Sequence, residues 1–411
     1  MKKKRIGIFA LIMILLITFP QPVSAKEQPQ LSESKLYSKA CALVDGDSGR
    51  VLYGKNENLQ LANASTTKIL TCIIALEQCK MDEVVTVSRE AAAQPKVHLG
   101  TAEGEQFYMQ DLLYGLMLES YNDCAYAIAE HISGSVEEFA KVMNEKAEEL
   151  GCKDSHFVTP NGLDREDREG EHRTTASDLC RIMSYCAWDS EKSEEFLALT
   201  QTRNHSFSSL SGTSYTVSNK NALLDMMDSV ITGKTGYTAK AGYCYVAAVE
   251  SKGRRYAIAL LACGWPNHKN YRWEDARTLF GYGMENYHLY KGAEDAFSVE
   301  PIFVRGGYEK GTLAEWGAAA EVPLRVNIKE KNITFLKADW DEAEVKKEYT
   351  KAVKAPVKKG QKIGKISYCI NGEEMYVYDI CTGADIPKWD FQAFFGAVIR
   401  EFLTIGISKT K

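Results

Sequence analysis

Ser65-Thr66-Thr67-Lys68 runs straight into Ile69, Leu70, Cys72, Ile73, Ile74, Ala75 and Leu76, a stretch apolar on nearly every side of a helix. An amphipathic helix can lie on a surface, but one that is apolar all round must be enclosed by other elements. The spacing therefore predicts a helix over 65–79 at the centre of a domain large enough to wrap it. The 411 residues suffice for such a domain and a second, smaller one.

The elements on either side say what does the wrapping. Ala40 to Asp45 and Arg50 to Tyr53 are short apolar runs around a Gly/Asp/Ser turn, and read as a β-hairpin. Residues 109–149 read as two or three helices. Gly242 to Glu250 and Arg255 to Ala262 form a second hairpin around Ser251-Lys252-Gly253, and a helix follows over about Tyr271 to Tyr287. Hairpins at both ends with helices between them predict an α+β domain whose antiparallel sheet is built from both ends of the segment. From about Phe297 to Ile380 short alternating segments separated by turns predict a small all-β domain.

The two termini differ from the rest. Lys2, Lys3, Lys4 and Arg5 precede an apolar run from Ile6 to Phe19, and Val23-Ser24-Ala25 offers small residues for cleavage. Residues 1–25 read as a signal peptide, so the mature protein is expected outside the cytoplasmic membrane. Its removal takes away four positive charges and shifts the formal net charge from −5 to −9. At the other end, residues 389–407 read as an amphipathic helix with Phe391, Phe394, Phe395, Val398, Phe402, Leu403 and Ile405 on one side. Arg400 and Glu401 in mid-run argue against spanning a bilayer, and the pattern predicts a helix lying on a membrane surface. The chain has no long basic run, so nucleic acid is not expected as a partner. Eleven cysteines, several inside apolar runs and none in a CxxC pair, are expected to be mostly free buried thiols.

Three short motifs carry the chemistry. A serine and a lysine three residues apart at a helix start share one face, where a buried lysine of lowered pKa can take the serine proton. Ser65 and Lys68 have that spacing and lead the buried helix; Ser32 and Lys35 share the spacing but sit in a polar stretch. Ser120-Tyr121-Asn122 follows 55 residues later, offering a hydroxyl and an amide two positions apart. Lys234-Thr235-Gly236 comes 114 residues after that, where a cation and a hydroxyl at a strand edge can hold a carboxylate. Each of the last two, taken alone, reads as an ordinary turn. The ordered set is the S-x-x-K, S-D-N, K-T-G signature of penicillin-binding proteins and serine β-lactamases.

From about residue 35 onward the chain resembles the low-molecular-mass penicillin-binding proteins that are serine D-alanyl-D-alanine carboxypeptidases. Thr159-Pro-Asn-Gly-Leu-Asp164, His172-Arg-Thr-Thr-Ala-Ser-Asp178 and Lys234-Thr-Gly-Tyr-Thr238 carry the likeness. The resemblance implies a β-lactamase/transpeptidase-like catalytic domain at 35–292, a β-rich domain at 296–385 and a C-terminal anchor helix at 389–407. It implies peptidoglycan stem peptides as substrate, β-lactams as covalent inhibitors, and neither cofactor nor metal. It also implies Ser65 as nucleophile, Lys68 as general base, Ser120 as proton relay and Asn122 as a hold on the acyl chain. Lys234, Thr235, Gly236 and Lys220 would bind the terminal carboxylate side, and the N–H groups of Ser65 and Tyr237 would form an oxyanion hole. Two departures stand out: Tyr121 replaces a frequent glycine, and Lys220 replaces an arginine, which keeps the charge without the bidentate geometry.

Two rivals share these residues. A serine β-lactamase needs a deacylating glutamate, for which Glu166, Glu169 and Glu171 lie in a plausible loop, but no asparagine follows at the usual spacing. A non-catalytic wall-binding or β-lactam-sensing module would acylate without turnover.

Overall fold

The computed structural model describes residues 31–291, 297–308, 320–328 and 334–389, and beyond them residues 391, 394–396, 398, 399 and 402. The expected signal peptide lies outside the described residues, as do Leu403 and Ile405 of the terminal segment.

One antiparallel sheet organises residues 31–291. Its strands are β1 (Ala40–Asp45), β2 (Val51–Lys55), β3 (Val230–Thr238), β4 (Gly242–Ser251) and β5 (Arg254–Leu261). They stand in the order β2-β1-β5-β4-β3. β1 pairs with β5 from Ala40 opposite Leu261 to Asp45 opposite Tyr256, so the N-terminal and C-terminal hairpins close a single sheet, as the sequence predicts. The helices that matter here are α1 (Lys68–Gln78), α2 (Asn122–Ser133), α3 (Val136–Glu149), α4 (Ala176–Ser184) and α5 (Tyr271–Asn286).

Alternation along the strands serves two cores. Ala40, Ala42, Val44, Val246, Ala248, Ala257 and Ala259 face one side; Cys41, Leu43, Tyr245, Val249, Ile258 and Leu260 face the other. The alanine-rich side lets α4 lie close against β1, β4 and β5. Beyond α4, α1 runs through the helical layer with every residue from Lys68 to Leu76 buried. Trp273, Ala276, Leu279 and Phe280 of α5 cover the opposite side.

Tyr287–Lys291 leaves α5 as a strand and pairs with Thr334–Ala338. Beyond it lie a four-stranded antiparallel sheet and a three-stranded mixed sheet. Leu336 and Ala338 join the core under α5. Arg50 holds Asp341 through two 2.7 Å bonds, and Asp45 accepts the Leu336 N–H at 2.8 Å. All eleven cysteines are free thiols, nine of them buried. No helix among the described residues is long and apolar enough to cross a membrane.

Candidate active site

Ser65 lies in a tight 3₁₀ turn, Ala64–Thr67, and the regular helix begins at Lys68, three residues later than the sequence pattern suggests. Close packing explains the turn. Ala64 has φ +49°, and a Cβ on Gly162 would fall 1.9 Å from the Ala64 carbonyl oxygen. Gly236 of β3 presses on the same turn: its Cβ would meet the Ser65 nitrogen and the Asn63 oxygen at 3.0 Å. Glycine at these two positions lets the loop and the strand approach the serine from either side.

Lys68 Nζ lies 2.9 Å from Ser65 Oγ, 2.9 Å from Asn122 Oδ1 and 2.8 Å from the Asn161 carbonyl. Burial, and then the nearby Lys234 ammonium, push its pKa well below the ordinary lysine value. A neutral amine has two N–H groups and one lone pair. The two donors match Asn122 and Asn161, which leaves the lone pair facing the serine hydroxyl. Ser32 and Lys35, the decoy pair, are exposed in a short 3₁₀ turn.

The second motif follows a wide π turn, Gly115–Glu119, that ends with Ser120 in the left-handed region at φ +69°. Ser120 does not cap α2: Tyr121 occupies the N-cap, and Ser120 is turned out toward Lys234. The Tyr121 ring packs on Gly115 and the helical core. Asn122 donates to the Pro95 carbonyl at 3.0 Å, which fixes its Oδ1 toward Lys68. The next residue, Asp123, accepts the N–H groups of Leu99 and Gly100 at 2.9 Å and ties that loop to α2.

Lys234, Thr235 and Gly236 lie on β3, the free edge of the sheet. Lys234 Nζ reaches Ser120 Oγ at 2.8 Å and the Thr235 carbonyl at 3.0 Å. Ser65, Lys68 and Asn122 thus form one hydrogen-bonded group and Ser120 with Lys234 a second, close enough for the Lys234 charge to act on Lys68. Burial, and then Arg272, lower the Lys234 pKa to about 7. Tyr237 is 42% exposed and its ring rests on Tyr243.

Lys220 is joined to neither group. Its ammonium pairs with Glu119 at 3.0 Å and its side chain is 58% exposed. Arg272, which sequence reasoning missed, is the nearer second cation. It enters from the first turn of α5, stacks on Tyr243 and Trp273, and has a buried Nε without a partner. Only its charge hints at this role in the sequence, 38 residues from Lys234. Asn161 belongs to the Thr159–Asp164 motif, yet it contributes its backbone carbonyl, which no side-chain pattern announces.

His172 braces the site from behind. Its Nδ1 accepts the N–H groups of Val158 and Thr159 at 3.0 and 3.3 Å, and its Nε2 lies 2.8 Å from Thr67 Oγ1. Burial, and then His156, lower its pKa to about 3, so the ring is neutral and carries its proton on Nε2.

Comparison with known proteins identifies this arrangement. Residues 24–263 match the family described as D-alanyl-D-alanine carboxypeptidase. The chain belongs to that family. Residues 308–388 match the C-terminal domain of penicillin-binding protein 5. The carboxypeptidase DacF of Bacillus subtilis is 30% identical over 399 residues, covering 95% of this chain and 97% of its own. DacB2 of Mycobacterium tuberculosis is 35% identical over 59% of this chain and 80% of its own. Among solved structures, penicillin-binding protein 5 of Haemophilus influenzae superposes with a TM-score of 0.68 at 26% identity, over 88% of this chain and 99% of that one. The chain is accordingly a serine-type D-alanyl-D-alanine carboxypeptidase with a penicillin-binding catalytic domain and an all-β second domain.

Proposed function

We propose that Ser65 attacks the carbonyl between the two terminal D-alanines of a peptidoglycan stem pentapeptide, forms an ester and releases free D-alanine. Lys68 takes the hydroxyl proton. Ser120, bonded to Lys234, passes a proton to the leaving amine, and Asn122 holds the amide of the acyl chain. Lys234, Thr235 and Arg272 bind the terminal carboxylate, and the N–H groups of Ser65 and Tyr237 stabilise the oxyanion. Lys220 steers the substrate from the rim. Water then hydrolyses the ester, and β-lactams arrest that second step. The observation that carries this reading is the buried Lys68 amine at 2.9 Å from Ser65 Oγ with both other contacts accounted for by acceptors.

Hydrolysis of penicillin as the main activity is disfavoured. Glu166, Glu169 and Glu171 are all exposed, and Glu171 is paired with Lys240. The test is D-alanine release from a peptide ending in D-Ala-D-Ala by the wild type and by Ser65→Ala. Release only by the wild type is expected; penicillin labelling without any release would replace the carboxypeptidase with a sensing module.

The mature enzyme is placed by this reading at the outer face of the cytoplasmic membrane, with a catalytic unit at 35–292, a β-rich unit at 296–385 and the segment from 389 as its contact with lipid. Phe391, Phe395, Ile399 and Phe402 recur at helical spacing and are 45–78% exposed, which supports an apolar face awaiting a membrane surface.

A further inference from the structure

The two helices that begin at the active site end together as well. α1 starts with Lys68 and is capped at its C-terminus by Cys79; α2 starts with Asn122 and carries His131 in its last turn. Glu83, just before the strand Val84–Thr86, lies between these two ends. One ligand atom from each of Cys79, Glu83 and His131 lies within 4.8 Å of the others. His131 Nε2 and Glu83 Oε2 are 3.1 Å apart. The second Glu83 oxygen accepts the Lys80 N–H at 2.9 Å, so the carboxylate is already oriented.

We infer that Cys79, Glu83 and His131 form a structural site for one zinc-like divalent ion that clamps the C-terminal ends of the two helices carrying Lys68 and Asn122. A thiolate, an imidazole and a carboxylate make the mixed soft and borderline donor set that selects zinc over calcium or magnesium. Tetrahedral zinc separates its ligand atoms by about 3.3–3.6 Å, so the trio needs to close by only about 1 Å. The Lys80 N–H to Glu83 is the outer contact that such sites use to hold a ligand in place. Each helix end carries the negative pole of its dipole, where a cation is favoured. On binding, the Cys79 thiol loses its proton to solvent, and His131 offers its Nε2 lone pair while its ring proton moves to Nδ1. Water fills the fourth position. No sequence motif marks the site, because 48 residues separate Glu83 from His131. The ordinary alternative is a His131–Glu83 ion pair beside an inert thiol, which would take up no metal.

The test uses the full mature chain, reduced and freed of metal, dialysed against micromolar zinc chloride and measured for bound metal and thermal midpoint. The expected result is about one zinc per chain and a raised midpoint in the wild type. Both should be lost in Cys79→Ser and in His131→Gln, with metal-free midpoints unchanged. His131 is exposed, so its replacement leaves the fold intact. Cobalt in place of zinc should give a thiolate-to-metal charge-transfer band that Cys79→Ser removes. No zinc uptake by the wild type, or equal uptake by the variants, overturns the site.

Discussion

Around Ser65 the chain buries polar groups, whereas in the β-rich region beyond residue 297 it buries mostly oil. Lys68, Asn122, Asp123, His172 and Lys234 are each less than 5% exposed. The core of the second region is Phe297, Phe335, Ile366, Tyr368, Ile370, Tyr378 and Ile380. Its most conspicuous buried charge, Asp341, is paired with Arg50 of the first region. Buried polar groups are tolerated only where partners satisfy them, and one missing partner in the cleft leaves several others exposed to that loss. The cleft also carries backbone strain, with Ala64 and Ser120 both in the left-handed region. The polar cleft is therefore locally costly to fold, and the β-rich core is not. Substitutions in the two regions should separate activity from stability.

The largest effect is expected at Lys68. Lys68→Ala should lower kcat/KM for D-alanine release by about 10³-fold, the range of a lost general base. Steady-state kinetics on both proteins checks this. On the proposed mechanism the wild-type acid limb follows protonation of Lys68, and it should fall well below the ordinary lysine pKa because burial and Lys234 disfavour the charged amine. Rate is thus gained as pH rises through that limb, and Lys68→Ala should erase it.

Arg50→Ala should do the reverse. It removes the cation from Asp341, a fully buried carboxylate left with only the Ala338 N–H and the Asn371 amide, and should destabilise the fold by about 3–5 kcal/mol while leaving kcat near the wild-type value. Chemical denaturation beside a rate assay would break the comparison if the rate fell instead. Lys220→Ala should have the smallest effect, within about threefold in KM, because an exposed pair with Glu119 contributes about 0–1 kcal/mol.

Much of this was legible before any coordinates. Alternating runs placed both hairpins, and an all-round apolar stretch placed α1, because local periodicity reports burial directly. The motifs placed Ser65, Lys68, Asn122 and Lys234, since spacing on one helix or strand fixes which side chains share a face. The rest depends on contacts between distant segments. Asn161 acts through a carbonyl, Arg272 through an approach from α5 to the strand carrying Lys234, and Ala64 through the pressure of Gly162 and Gly236. Lys220 was drawn away by Glu119, a partner that sequence spacing alone does not reveal.

The central claim is that Ser65 is the acylated nucleophile, and trapping the ester tests it most directly. The protein would be treated with benzylpenicillin, digested and mapped by mass spectrometry. One penicillin adduct on the peptide containing Ser65, absent from Ser65→Ala, is the predicted result. An adduct on any other residue, or D-alanine release by a protein that never becomes acylated, would contradict the account.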